Sequence, residues 1–261
     1  MNAIILAAGK GERLKPLTQN IPKCLVKLFG KSLLDWQIET FHKLGIFDIT
    51  VITGYKSEFI SSLEIKKIVN KRFESTNMVE TLFCAQSELK DSTIVSYGDI
   101  IFEEKIMKKL VDSEHDISVV VDEKWHDLWK LRFNNPLNDA ESMKINDDSC
   151  ITDIGQLVSK IDEIQGQFIG LMKFQNKGID DLKVFYKKAK DLSKNNVNPL
   201  NPHLNFQNSY MTDLLNYLIK VGCKLKAIKI QNGWLELDSF SDYELYENLH
   251  NKKALKNLFS F

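Results

Sequence analysis

Asn2-Ala3-Ile4-Ile5-Leu6-Ala7-Ala8-Gly9-Lys10-Gly11-Glu12-Arg13-Leu14-Lys15-Pro16 follows the initial Met1, and its reading decides the fold. Residues 2–6 are a short apolar run of the kind that a strand buried on both faces requires. The run passes directly into a loop that carries two glycines and three basic side chains. Further on, Ser32-Leu33-Leu34-Asp35 has the Ser-x-x-acid form of a helix start. Leu33, Leu34, Ile38, Phe41 and Leu44 then recur at helical spacing until Gly45. The order is strand, loop, helix.

The same alternation continues. Residues 48–53 (DITVIT), 68–73 and 92–97 (STIVSY) predict strands, and 56–63 and 78–85 predict helices. In the second half, 117–122, 168–174, 224–230 and 234–237 predict strands, and 179–192 and 210–221 predict amphipathic helices. Residues 134–148 and 195–208 are rich in Asn, Asp and Pro and are expected as exposed loops or insertions. Strands that alternate with helices at this spacing imply an α/β fold with three layers, α/β/α, around a mostly parallel mixed sheet. No internal repeat or low-complexity linker divides the chain, so one domain is expected over residues 1–261.

The 261 residues balance 35 Lys+Arg against 35 Asp+Glu. A net charge of zero argues against a nucleic acid or an anionic membrane as partner, since both select a basic excess. Locally the balance fails: residues 1–31 hold six basic side chains and one acid, a net +5. Four cysteines at 24, 84, 150 and 223 form no CxxC pair, which disfavours a disulfide framework or structural zinc. No apolar run approaches the roughly 20 residues of a membrane span, and a cytoplasmic protein is expected.

A glycine loop at the carboxyl end of a first strand leaves N–H groups unpaired and convergent, which favours a phosphate. Two common phosphate motifs fail here. No GK[ST] follows Gly9 at the Walker A offset, and Leu14 stands where a dinucleotide fold needs its third glycine. A solvated basic turn is the plain alternative. However, Leu6-Ala7-Ala8-Gly9-x-Gly11-x-Arg13-x-x-Pro16-Leu17-Thr18, with Pro22-Lys23, spans eighteen positions at fixed spacing. It resembles the signature of nucleotidyltransferases that join a nucleoside triphosphate to a phosphorylated acceptor and release pyrophosphate. The resemblance implies a Rossmann-like nucleotidyltransferase fold, with a nucleotide-binding half over about 1–115 and an acceptor-binding half over about 116–261. It also implies that Leu6 to Gly11, Lys10 included, wraps the triphosphate. Arg13 would neutralise its phosphates, and Lys23 would sit by the α-phosphate and the acceptor phosphate.

Tyr97-Gly98-Asp99 closes a β-branched strand and puts a carboxylate where α/β folds bind ligands. Gly233-Trp234-Leu235-Glu236-Leu237-Asp238-Ser239 offers a second acidic site, with Glu236 and Asp238 on one face if the segment is a strand. Mg²⁺ characteristically shares one or two carboxylates with phosphate oxygens. Each acid also has a local reading: Gly98-Asp99 as a turn, Asp238 as the cap of a following helix. The resemblance implies that Asp99 and Asp238 hold Mg²⁺; Glu236 either supports those ligands or contacts the acceptor.

The resemblance places the base against the glycine loop and the segment from Glu74 to Leu82, with Asn77 as the expected contact there, and Tyr97 is a further expected nucleotide-binding residue. Asn77 could equally cap a helix that starts at Met78. The middle and end of the chain are most similar to small bacterial cytidylyltransferases of the phosphocholine and phosphoglutamine kind, which serve surface polysaccharide or capsule modification. Trp125, His126, Asp127, Trp129, Lys130 and Arg132 form the expected acceptor cluster, with Trp129, Lys130 and Arg132 as its contacts. Aromatic rings with acids would hold a quaternary amine. Lys130 and Arg132 favour a carboxylate or phosphate instead. The two tryptophans could also pack structurally.

The expectation is therefore a Mg²⁺-dependent transfer of CMP from CTP to a small phosphorylated acceptor, with a homodimer left open. Its rivals are a sugar-1-phosphate nucleotidyltransferase that uses UTP or dTTP and a non-catalytic nucleotide-binding regulatory protein.

Overall fold

The opening apolar run folds as β1 (Asn2–Ala7), with all of its residues buried. The computed structural model describes residues 1–61, 64–195 and 197–260. A small hairpin, β2 (Lys27–Leu28) with β3 (Lys31–Ser32), follows the loop and leads into α1 (Leu33–Lys43). Ser32 caps α1 as its sequence requires, its Oγ accepting from the Asp35 amide at 3.0 Å. Next come β4 (Ile49–Thr53), β5 (Lys66–Val69), α2 (Met78–Phe83), β6 (Ser92–Tyr97), β7 (Ile100–Phe102) and α3 (Glu104–Val111). The remainder holds β8 (Ile117–Asp122), α4 (Trp125–Arg132), β9 (Glu141–Ile145), β10 (Cys150–Leu157), β11 (Gln167–Gln175) and α5 (Lys177–Ser193). It ends with α6 (Met211–Lys220), β12 (Leu225–Ile230), β13 (Trp234–Glu236) and α7 (Phe240–Asn251).

One sheet has the strand order β5-β4-β1-β6-β11-β8-β12-β10-β9. β5, β4, β1 and β6 run parallel, as do β8 and β12. β11 enters antiparallel between β6 and β8, and β10 pairs antiparallel with both β12 and β9. β1, β4 and β8 are buried at every position, so helices cover both faces of this mixed sheet. β7 and β13 pair with each other apart from the large sheet.

Three expectations need correction. Residues 134–148 are not all loop: Glu141–Ile145 within them is the edge strand β9, and Ser142 and Met143 are buried. The Asn and Pro that suggested a loop belong to a short turn at Pro136–Asn138. In place of a helix over 56–63 there is a single 3₁₀ turn, Ser57–Phe59; residues 62 and 63 lie outside the described residues. The strand expected at 68–73 runs earlier, over Lys66–Val69. Residues 195–208 are mainly loop, with a short helical turn at Phe206–Asn208; residue 196 lies outside the described residues. Among the described residues, no helix is long and apolar enough to cross a membrane.

Candidate active site

The glycine loop after β1 borders a cavity of about 300 Å³. Leu6, Ala7, Ala8, Gly9, Gly11 and Arg13 line it on one side, and Phe73, Thr76, Asn77, Met78 and Thr81 on another. Lys23, Tyr97, Asp99 and Asp238 are also part of its wall. Gly11 is in the left-handed region at φ +63°, and a Cβ there would lie 3.1 Å from the Cβ of Lys23. Thr18 Oγ1 closes the loop by donating to the Gly11 carbonyl at 2.8 Å. The tight turn thus sets Lys23 beneath the loop.

Lys23 is where the charges meet. Its Nζ donates to Asp99 Oδ2 at 2.7 Å and to Asp238 Oδ1 at 2.9 Å. Arg13 reaches the other Asp238 oxygen at 2.6 Å. Burial would lower the Lys23 pKa, but the charges of Asp99, Asp238 and Glu236 outweigh it and raise the pKa. Asp99 stands at a turn pressed onto β1: the Gly98 amide donates to the Leu6 carbonyl at 2.9 Å, and a Cβ on Gly98 would come within 2.7 Å of that oxygen. Asp238 follows β13 and does not cap α7. Ser239 is the cap, in a reciprocal pair with Asp242, whose Oδ2 also accepts from the Asp238 amide at 3.1 Å.

A divalent cation fits this arrangement. Asp99 Oδ1 is buried without a hydrogen-bond partner. Arg13 and Lys23 pair with Asp99 and Asp238, and Arg132 with Glu236 and Asp242. Among the described residues no group of three or more His, Cys, Asp or Glu side chains forms a metal cage. Two carboxylates that share a cation with phosphate oxygens suit Mg²⁺.

A second cavity, about 170 Å³, adjoins the first across Tyr97 and Met78, which line both. Its wall holds the aromatic rings of Trp129, Phe168, Tyr210 and Trp234 and the acids Asp139, Glu141 and Glu236. Among the described residues, no Lys, Arg or His lines it. Burial, with Asp213 and Asp139 nearby, pushes the Glu141 carboxyl up to about 7. Burial also raises Glu236, to about 7, with Asp99 and Asp238 adding to the shift and Arg132 opposing it.

The residue match is uneven. Asn77 lines the first cavity and also caps α2, its Oδ1 accepting from the Met78 amide at 2.8 Å. Lys10 does not line the cavity; its Nζ pairs with Glu74 at 2.5 Å. Trp129 and Glu236 line the second cavity, whereas Lys130 is exposed and away from it. Arg132 is engaged from behind, with its side chain 1% exposed. It donates to Glu236 Oε2 at 2.7 Å and, through Nε, to Asp242 Oδ1 at 2.9 Å. The basic pair that suggested an anionic acceptor therefore does not face the cavity. Trp125, 3% exposed, packs edge-on against Trp129 with ring centroids 5.8 Å apart.

A model of the MobA-like NTP transferase domain matches residues 3–162. The chain belongs to this family. It is an enzyme, a nucleotidyltransferase, as the loop and its resemblance implied. It is 37% identical over 257 residues to the CTP:phosphoglutamine cytidylyltransferase of Campylobacter jejuni, covering 94% of this chain and 98% of that one. A choline-phosphate cytidylyltransferase of Streptococcus pneumoniae is 34% identical over 119 residues, 44% of this chain and 52% of that one. The structure of the CTP:phosphocholine cytidylyltransferase LicC from Streptococcus pneumoniae superposes with a TM-score of 0.71 at 25% identity, over 95% of this chain and 98% of that one. Within this nucleotidyltransferase, sequence reasoning missed Asp139, Glu141, Tyr210 and Trp234. Asp139 and Glu141 fell in the stretch taken for a loop, and only the folded chain brings all four to one wall.

Proposed function

We propose that the protein transfers CMP from CTP to a small phosphorylated non-sugar acceptor that carries an ammonium group, with release of pyrophosphate. One observation carries the choice of acceptor: among the described residues, the cavity next to the glycine loop is walled by three acids and several aromatic rings and by no cation. Carboxylates and ring faces attract a cationic nitrogen. A hexose ring carries no charge to match them. The relative that is 37% identical over nearly the whole chain acts, by its name, on CTP and phosphoglutamine. The choline-phosphate relative shares the demand for a phosphate at one end and a cationic nitrogen at the other.

In this reading CTP lies against residues 6–13 and the Asn77 segment, with its triphosphate toward Arg13 and Lys23. The acceptor's ammonium occupies the cavity of Asp139, Glu141 and Glu236, so that its phosphate points past Tyr97 at the α-phosphorus. Its oxygen attacks in line as the bond to pyrophosphate breaks. The acceptor phosphate is already ionised, so no side chain need remove a proton. Lys23 and Arg13 neutralise charge that grows on the departing pyrophosphate, and their fixed positions make them effective. Asp99 and Asp238 would hold Mg²⁺, which supplies further charge neutralisation on the phosphates. We place this activity in the cytoplasm and in surface polysaccharide modification.

A pyrophosphate-release screen tests the reading, with CTP, UTP and dTTP each paired with phosphoglutamine, phosphocholine and hexose 1-phosphates. Turnover is expected with CTP and an ammonium-bearing acceptor. Turnover confined to a hexose 1-phosphate with UTP or dTTP would refute it. Binding of CTP without pyrophosphate release from any acceptor would favour a regulatory protein.

A further inference from the structure

Asp99 rides on the turn Tyr97-Gly98-Asp99-Ile100 between β6 and β7, and the place of its carboxylate depends on how that turn is held. Gln37 of α1, 1% exposed, holds it from below. Its Nε2 donates one hydrogen to the Tyr97 carbonyl and the other to the Ile100 carbonyl, both at 2.8 Å. The two carbonyls flank Gly98 and Asp99, so a single amide spans the turn. Ser96 Oγ adds a longer contact of 3.2 Å to the Tyr97 carbonyl. The Asp99 carbonyl in turn accepts from the Leu237 amide at 2.9 Å, next to Asp238.

Gln37 Oε1 is buried with no partner. Turning the amide over would set that oxygen against two carbonyl oxygens, so the orientation is fixed by the turn. A side chain chosen for packing alone would not bury an orphaned acceptor. We infer that Gln37 is a positioning residue for nucleotidyl transfer. It sets the Asp99 carboxylate through the turn that carries it and the Asp238 carboxylate through the Asp99 carbonyl and Leu237, at the separation that Lys23 bridges. The inference rests on the roles given above to Asp99 and Asp238.

The test compares wild type with Gln37→Met, which fills similar space without donors. Mn²⁺ binding to the protein with CTP is read by electron paramagnetic resonance, beside steady-state kinetics. Partners that orient a metal-holding group commonly contribute about 10–100-fold to metal affinity or activity, and a loss in that range is expected in both Mn²⁺ affinity and kcat. KM for CTP should stay within about threefold, because the loop amides are untouched. A variant that melts earlier but keeps wild-type Mn²⁺ affinity and kcat would overturn the inference and leave Gln37 a packing residue. Should Gln37→Met fail to fold, Gln37→Asn keeps an amide too short to span both carbonyls. It should show the same loss of Mn²⁺ affinity, and wild-type affinity there would equally overturn the inference. Wild-type protein that neither binds Mn²⁺ with CTP nor releases pyrophosphate would overturn the roles of Asp99 and Asp238 themselves, and Gln37's with them.

Discussion

Replacing Lys23 with Ala removes the ammonium that bridges Asp99 and Asp238 at 2.7 and 2.9 Å. At those distances each contact is worth about 6 kcal/mol of gross attraction at an effective dielectric constant of about 20. Burial of the charges cancels much of it, and Asp238 keeps Arg13 as a partner. The fold should therefore lose only about 3 kcal/mol, the low end for breaking a buried pair. Catalysis should suffer more selectively. On the proposed reading the loop amides would hold the triphosphate in the ground state, whereas Lys23, like Arg13, would meet charge that grows as pyrophosphate departs. Removal of one such preorganised donor costs about 10²–10³ in kcat. Calorimetric CTP binding should stay within about tenfold, with pyrophosphate release measured at saturating substrates. A folded Lys23→Ala protein with kcat within about threefold of wild type would refute the assignment.

Arg132→Met should leave Asp242 and Glu236 without their buried cation. A loss of about 3–5 kcal/mol is expected, seen as a Tm lower by about 10 °C; an unchanged Tm would show that the pairs contribute nothing. Asp238→Asn should raise the Mg²⁺ concentration for half-maximal rate by roughly tenfold or more, and a normal Mg²⁺ response would remove Asp238 from the metal site. Glu141, with its carboxyl pushed up to about 7, gains its charge as pH rises through that value. KM for an ammonium-bearing acceptor should fall over that interval, and Glu141→Gln should flatten the profile; parallel profiles for the two proteins would exclude Glu141 from the acceptor site. Because the folded value is raised, Glu141 stabilises the fold below the ordinary carboxylate range, and this contribution is lost as pH rises through about 7.

β6 and β8 were legible to the residue, because a β-branched run buried on both faces has one reading and ends at a turn residue or a charge. β9 was not, since its five residues are too few to outweigh the Asn and Pro just before them. The glycine loop could be read because its function depends on local spacing. Arg132 could not. A cation beside tryptophans looks the same in sequence whether it faces a ligand or a buried acid, and its partner Asp242 is 110 residues away. Asn77 carried two readings, and the fold accommodates both: its carboxamide oxygen caps α2 while the residue walls the first cavity.

The pairing of β7 with β13 stands outside the nine-stranded sheet, with Ile100 opposite Glu236. Asp99 directly precedes one strand, and Asp238 lies just beyond the other. The three matched pairs therefore act as a caliper whose jaws are the two carboxylates. A slip of one residue would shift one jaw by about 3.4 Å and turn alternate side chains to the opposite face. The caliper also closes late. Every strand of the large sheet precedes Gln231 in the chain, yet the second jaw comes only with β13. The chain thus encodes its whole scaffold before the second acid, and the proposed metal pair is complete only past the last strand.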